Sequence, residues 1–494
     1  KKAALGLFQQ PARYFWASSP TRPDQHLAGA EKRKAVFQQP ARVVPPLPSA
    51  AAQKPLELIV MADLTATIAG IVSPNPFWLA SAPPTNTYGQ VARAFDHGWG
   101  GAVWKTIGQP IVNVYSRYGG LDSGTQKLIG LNNIELITDR SIEENLKEMR
   151  LVKKRYPKHT LIASLMVETN RNAWHEIVKR THGETGCDGF ELNFGCPHGM
   201  SERGMGAAVG QVPEYCQQIT EWVKEVSPIP VIVKLTPNVA DVVYPARAAK
   251  RANADAVSLI NTINSLIGVD LDKMAPMPNV AGKGSHGGYC GPAVKPIALN
   301  MISAISTDPE AGTLPISGIG GVSNWRDAAE FIALGCDNVQ VCTAVMHYGF
   351  RIVEDMIDGL SNWMDEKGYK TLADFKGRAA PTVTKWENLN LNHFTRASID
   401  HEKCIGCELC YIACEDGAHQ ALKLVQKDGR RLVEVKEDMC VGCNLCSLVC
   451  PVPDCITMKH IPNGAPDVSW KDFQAGKGKL HERPTHYQPV DDAE

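Results

Sequence analysis

Eight of the chain's 15 cysteines fall into two short runs whose spacing suits iron rather than disulfides. The first run is Cys404-x₂-Cys407-x₂-Cys410-x₃-Cys414. The second is Cys440-x₂-Cys443-x₂-Cys446-x₃-Cys450, followed by Pro451. Three closely spaced thiolates can hold one face of a four-iron cage. The fourth cysteine of such a run cannot fold back onto the same cage and ligates the other. Cys404, Cys407, Cys410 and Cys450 are therefore assigned to one [4Fe–4S] cluster, and Cys440, Cys443, Cys446 and Cys414 to a second. A pair of structural zinc sites is the competing reading, but zinc does not require the doubled four-cysteine run with its trailing proline. Ligands that must be available as thiolates place the protein in a reducing compartment, here expected to be the cytoplasm.

Two clusters in one small domain make an electron relay. No Gly-x-Gly-x-x-Gly follows a strand and opens a helix; Gly318-Ile-Gly320-Gly321 is the nearest approach. The chain is therefore expected to exchange electrons with another protein rather than bind a dinucleotide itself.

A second group of candidate chemical residues lies upstream. Ser81, Lys105, Asn193, Cys196, Lys234, Asn261, Thr262 and Thr343 each fall at or just after the end of a short β-branched run. The candidate strands are 77–80, 102–105, 161–166, 190–194, 231–235, 256–261, 314–318 and 338–343, with helical patterns between them, such as 141–155 and 325–334. Strands that alternate with helices imply a parallel sheet, and eight such units fit a closed (β/α)₈ TIM barrel better than an open doubly wound sheet. In a barrel the C-terminal strand ends form the rim that carries active sites. Any one of these residues could merely satisfy a strand end; eight on one rim call for a site.

These elements divide the 494 residues. Residues 61–370 read as the barrel and 371–396 as a polar linker. Residues 397–462 read as an α+β ferredoxin-like domain with two [4Fe–4S] clusters, and 463–494 as an extended polar tail. Residues 1–60 are rich in Ala, Pro and Gln and repeat FQQPAR at 8–13 and 37–42. They read as a poorly structured extension in preference to a partner-binding arm, with Met61 as the natural start. A formal net charge of −1 argues for neither nucleic acid nor an anionic membrane. No apolar run reaches the roughly 18 residues of a membrane span, and no secretory signal is expected.

Several segments together resemble the dihydropyrimidine dehydrogenase family, in particular its bacterial NAD(P)-dependent catalytic subunits with an FMN barrel and a terminal ferredoxin domain. They are Leu79-Ala-Ser-Ala82, Lys105-Thr106, Leu131-Asn-Asn-Ile-Glu-Leu136, Ala163-Ser-Leu-Met166 and Glu191-Leu-Asn-Phe-Gly-Cys-Pro-His-Gly199. Further along stand Lys234-Leu-Thr-Pro-Asn238, Ile260-Asn-Thr262, Gly288-Tyr-Cys-Gly291, Ser317-Gly-Ile-Gly-Gly321 and Val341-Cys-Thr343. The resemblance spans about residues 62–460, and its barrel is shared with dihydroorotate dehydrogenases.

The resemblance implies FMN at Ala80, Ser81, Lys105, Thr106, Lys234, Asn261, Gly291, Gly320, Gly321, Cys342 and Thr343. Chemically, the Gly320–Gly321 turn and the Cys342–Thr343 strand end offer backbone N–H donors where barrels commonly bind phosphate. Lys105 and Lys234 would compensate the negative charge of a reduced flavin. The resemblance further implies Asn133, Asn193, Asn261 and Thr262 around a pyrimidine base, with Glu135 and Ile137 as further contacts. It makes Cys196 the proton donor. Alternating N–H and C=O groups on uracil need donors and acceptors in kind, which Asn supplies. Gly195 stands where the family often has Ser, which removes one potential substrate hydrogen bond.

The implied function is reversible reduction of uracil or thymine to the 5,6-dihydro form, a step of pyrimidine catabolism. Electrons would come from a separate FAD and iron–sulfur subunit that oxidises NAD(P)H, in a hetero-oligomer such as a heterotetramer. The alternatives are dihydroorotate oxidation, against which Glu135 would repel the orotate carboxylate, and a non-catalytic electron-transfer subunit, against which the polar rim and Cys196 argue.

Overall fold

The computed structural model describes residues 62–109, 111–196 and 204–481. The expected extension over 1–60 with its repeats, residues 197–199 of the Cys196 loop, and the tail beyond 481 lie outside the described residues.

Eight parallel strands among the described residues close into a barrel, in chain order around the ring. They are β1 (Phe77–Leu79), β2 (Gly101–Ile107), β3 (Thr160–Leu165), β4 (Gly189–Asn193), β5 (Val231–Lys234), β6 (Ala256–Leu259), β7 (Ile316–Ile319) and β8 (Asn338–Val341). Almost every strand residue is buried. Helices cover the outer face and side chains fill the inner one, so the strands read as continuous apolar runs rather than alternating patterns.

The helices between them are α1 (Tyr88–Asp96), α2 (Ile142–Arg155), α3 (Arg171–Thr185), α4 (Pro213–Lys224), α5 (Val243–Arg251), α6 (Lys295–Ser306), α7 (Trp325–Ala333) and α8 (Ile352–Lys367). Their ends follow local chemistry. Ser141 caps α2 and Glu144 returns the bond to complete a capping box. The Asn324 side chain accepts from the backbone N–H groups of Arg326 and Asp327 at the start of α7. Gly368 closes α8 at φ 74°, a conformation that favours glycine.

The two mouths of the barrel differ. At the N-terminal mouth, a hairpin of Ala66–Ile68 and Ile71–Ser73 packs Ile68 and Ile71 against Trp78, Val103, Ile162, Ile232 and Ala256. The Trp78 indole N–H donates to Ser73 Oγ at 2.9 Å, so that end is plugged. The C-terminal mouth carries an unanticipated antiparallel sheet with strands ordered Ile263–Ser265, Gly287–Cys290, Gln126–Asn133 and Tyr118–Ser123. Tyr118–Ser123 is glycine-containing and mostly exposed, so neither periodicity nor composition marks it as a strand.

In the C-terminal region β9 (Phe394–Ile399) pairs antiparallel with β12 (Ile456–Ile461), and β10 (Leu422–Lys427) with β11 (Arg430–Val435). Asp428 and Gly429 turn the second hairpin, both at positive φ. Two differences from the expected organisation follow. The strand β9 begins inside the stretch read as linker. Residues 463–481 are also not an extended tail. The Asn392 side chain donates to the carbonyls of Pro466 and Lys479, the Asn463 side chain donates to the Asn392 carbonyl, and Val468 is buried. Asparagine amides tie the two segments together, an order that polarity and Pro/Gly content conceal. No helix among the described residues is long and apolar enough to cross a membrane.

Candidate active site and cluster sites

The open mouth holds a cavity of about 150 Å³. Every rim residue named from the sequence lines it: Ala80, Ser81, Lys105, Thr106, Asn133, Glu135, Ile137, Asn193, Cys196, Lys234, Asn261, Thr262, Gly291, Gly320, Gly321, Cys342 and Thr343. Most converge because parallel strands deliver their last residues to one ring, while Asn133, Glu135, Ile137 and Gly291 come from the antiparallel sheet over the mouth or just beyond its strands.

Polar side chains at these ends answer one another. Thr106 Oγ1 lies 3.1 Å from Ser81 Oγ and 2.9 Å from Ser164 Oγ, and accepts from Asn193 Nδ2 at 3.0 Å. Asn261 Nδ2 donates to Asn193 Oδ1 at 2.9 Å, and Asn261 Oδ1 accepts from the Thr262 backbone N–H at 2.8 Å. Asn133 Nδ2 donates to the Gly288 carbonyl at 3.2 Å, which fixes that amide on the antiparallel sheet. A chain of amides locked by each other presents its remaining donors and acceptors in fixed directions, which suits a flat polar heterocycle.

Three glycines shape the opposite wall. Gly320 and Gly321 have φ 126° and 79°. A Cβ on Gly321 would sit 2.8 Å from Lys295 Cβ, and one on Gly320 would sit 2.9 Å from Ala298 Cβ. Gly291, at φ 99°, would meet the Ile129 carbonyl at 3.2 Å. A Cβ on Gly195 would lie 2.4 Å from Asn261 Cβ, so Asn261 packs directly on the bare backbone there. Backbone that favours glycine lines this wall and would let a ligand approach the main chain closely.

Two buried lysines face the cavity, Lys105 and Lys234, 4% and 5% exposed. Lys105 Nζ pairs with Glu135. Glu135 also accepts from Arg117 Nη1 at 3.1 Å and from the Tyr118 hydroxyl. Burial, together with the Glu135 charge, pushes the Tyr118 hydroxyl well above its usual range. Lys234 Nζ lies 3.3 Å from Glu191 Oε1. Burial pushes the Cys290 and Cys342 thiols up to about 11 and 12, so both are neutral near pH 7. Buried cations and a glycine-lined wall fit a flavin mononucleotide, whose phosphate and reduced ring are anionic.

Cys196 follows β4 and lines the cavity, half-buried against Ile137, Met166 and Met205. Its carbonyl accepts from the Ala207 N–H at 3.0 Å, which draws residues 196 and 207 together. Arg117, Tyr118, Tyr289, Cys290, Glu191 and Gln340 were not singled out as site residues. Arg117 and Tyr118 lie on or beside a strand without strand signals, and Glu191 and Gln340 sit inside strands rather than at their ends.

The cysteine runs form two matching loops. Gly406 and Glu408 in the first, and Gly442 and Asn444 in the second, all have φ between 62° and 71°. The short helices Leu409–Glu415 and Leu445–Leu448 then carry Cys410, Cys414 and Cys446. One cavity is lined by Cys440, Cys443 and Cys446 of the second run together with Cys414 of the first. That is the crossed set expected of a two-cluster ferredoxin. Burial and the nearby Cys440 and Cys443 thiols push the Cys446 thiol up to about 11. Among the described residues no three His, Cys, Asp or Glu side chains converge on a point suited to a single metal ion.

A family model described as dihydroorotate dehydrogenase matches residues 63–364, and a 4Fe-4S dicluster domain model matches 397–458. The chain is 44% identical to the NAD-dependent dihydropyrimidine dehydrogenase subunit PreA of Escherichia coli, over 74% of this chain and 88% of that one. It is 40% identical to the chloroplastic NADP(+) dihydropyrimidine dehydrogenase of Arabidopsis thaliana, over 72% and 84%. It is 34% identical to the catalytic subunit of dihydroorotate dehydrogenase B of Pyrococcus abyssi, over 64% and 99%. The chain belongs to the dihydropyrimidine dehydrogenase family of oxidoreductases, with a barrel of dihydroorotate dehydrogenase type and a 4Fe–4S dicluster domain.

Proposed function

We propose that this chain reversibly reduces uracil and thymine to 5,6-dihydrouracil and 5,6-dihydrothymine. The observation that carries the reading is a buried carboxylate, Glu135, held by Lys105, Arg117 and Tyr118 in a cavity that also presents the amides of Asn133, Asn193 and Asn261. Such a pocket suits a neutral pyrimidine whose ring N–H can donate to the held carboxylate.

Ala80, Ser81, Lys105, Thr106, Lys234, Asn261, Gly291, Gly320, Gly321, Cys342 and Thr343 hold FMN in this reading. FMN bound there supplies hydride to, or takes it from, one carbon of the pyrimidine 5,6 bond. The chain's own residues do the rest. Asn133, Asn193, Asn261 and Thr262 pair with the N–H and C=O groups of the base and set its angle. Ile137 packs beneath it, and Glu135 accepts from a ring N–H. The Cys196 thiol moves a proton to or from the neighbouring carbon, from the face opposite the hydride. Cys404, Cys407, Cys410 and Cys450, with Cys440, Cys443, Cys446 and Cys414, hold two [4Fe–4S] clusters that link the barrel electronically to an FAD-bearing, NAD(P)H-oxidising partner. The Escherichia coli relative is itself named as a subunit, which supports a hetero-oligomer.

Two results test this reading. The chain isolated without oxygen is expected to contain one FMN and about eight irons with eight acid-labile sulfides; zinc in their place defeats the cluster assignment. Glu135→Gln is expected to lower kcat/KM for uracil by about ten- to a hundredfold, the usual worth of a charged hydrogen bond. It leaves Lys105 and Arg117 without their shared counter-charge, so the ratio of orotate to uracil turnover should rise. An unchanged ratio in steady-state assays of both substrates removes Glu135 as the discriminator.

A further inference from the structure

Among the described residues three carboxylates are buried: Glu135, Glu191 and Asp327. Glu135 lines the cavity. Asp327 accepts from the Ser323 N–H and the Asn324 amide and pairs with Lys295, at the start of α7. Glu191 is fully buried in the middle of β4 and has no task in the reading above. Side chains alternate along a strand, so Glu191 shares the face of Asn193 and lies one layer deeper in the barrel.

Its partners come from the neighbouring strand β5 and from strands farther round the ring. Lys234 Nζ of β5 lies 3.3 Å from Oε1. Ser258 Oγ of β6 donates to Oε2 at 2.8 Å, and Gln340 Nε2 of β8 donates to the same oxygen at 2.9 Å. Gln340 Nε2 also lies within 3.0 Å of Ser317 Oγ on β7. Five consecutive strands thus share one polar layer, and two of its members, Lys234 and Gln340, form the floor of the cavity. Glu191 Oε1 and Gln340 Oε1 accept no hydrogen bond, so Lys234 faces the carboxylate as an ion pair, and a buried ammonium without a counter-charge loses its proton.

We propose that Glu191 is a positioning residue for Lys234: it keeps that ammonium charged and aimed at the cavity, and so sets how readily a bound flavin accepts electrons. The assignment rests on the reading that the cavity holds FMN. A reduced flavin is anionic near neutral pH, so a fixed cation beside it favours reduction and a neutral amine does not.

The groups facing Lys234 are Glu191 from β4 and Cys342 beyond β8, with Lys105, Tyr118, Glu135, Cys196, Tyr289 and Cys290 around the cavity. Burial keeps the Cys290 and Cys342 thiols protonated through neutral pH.

The test is a redox titration of the flavin in the full chain, for the wild type, Glu191→Gln, Glu191→Asp and Lys234→Met, between about pH 6 and 9. Glu191→Gln keeps the shape but removes the counter-charge. Its flavin should resist reduction at the high end by about tenfold or more in the equilibrium constant, as one pKa unit of lost charge stabilisation implies. The difference from wild type should vanish at the low end. Lys234→Met should be shifted at every pH and should coincide with Glu191→Gln only at high pH, with Glu191→Asp in between. A Glu191→Gln flavin that tracks the wild type throughout, or is reduced more easily, overturns the assignment. If Glu191→Gln does not fold, Glu191→Asp decides: a high-pH shift absent at low pH supports the assignment, and no shift overturns it. A wild-type chain that takes up no flavin overturns the functional reading, and this assignment with it. A flavin-loaded chain without the pH-dependent shift overturns this assignment alone.

Discussion

Cys196→Ala is expected to keep FMN, to remain reducible by a dye, and to lose pyrimidine turnover by about 10² to 10⁴, the usual range for general acid catalysis. The local structure makes this a clean substitution. Cys196 is held through its backbone carbonyl by Ala207, and its side chain packs with Ile137, Met166 and Met205 rather than with the glycine wall. Removing a sulfur leaves that wall and both rim lysines in place. Rapid-mixing measurements separate flavin reduction by dihydrouracil from dye-driven reduction. Near-normal turnover in the variant moves the proton donor to another residue.

The second large effect concerns electron delivery. Cys446→Ser removes one of the thiols around the cavity formed with Cys414, Cys440 and Cys443. Dye-driven reduction at the barrel should survive, because the rim is built by separate elements. Reduction driven by the NAD(P)H-oxidising partner should disappear. The two assays are run on one preparation, after flavin content is checked. Partner-driven turnover with that cluster demonstrably absent contradicts the relay, and direct oxidation of NAD(P)H by this chain alone contradicts the two-subunit arrangement.

The barrel was legible in the sequence because strands buried on both faces must be continuous apolar runs, and all eight runs became strands within about two residues of the expected ends. The rim was legible because polar residues closing such runs have one place to go. The grouping of Cys414 with Cys440, Cys443 and Cys446 around one cavity was legible because a four-residue step cannot return a thiol to its own cage. What stayed hidden is of three kinds. The sheet over the cavity, with Tyr118 and Arg117 at its edge, is exposed and glycine-containing, so it carries no periodic signal. Glu191 and Gln340 lie inside strands, where the alternation that turns them toward the axis shows only once the barrel is closed. The order of residues 463–481 depends on Asn390, Asn392 and Asn463, whose role as ties is a matter of distance rather than of composition.

Substrate choice is the point on which the account stands, since the same barrel serves both pyrimidine chemistries among its relatives. The most direct measurement is anaerobic turnover of the purified, cofactor-loaded chain with uracil, thymine and orotate, using a reduced dye as donor. The account predicts conversion of uracil and thymine to their 5,6-dihydro forms, with orotate reduced far more slowly. Reduction of orotate in preference to uracil, or no reduction of any of the three by a chain that holds its flavin and clusters, would contradict it.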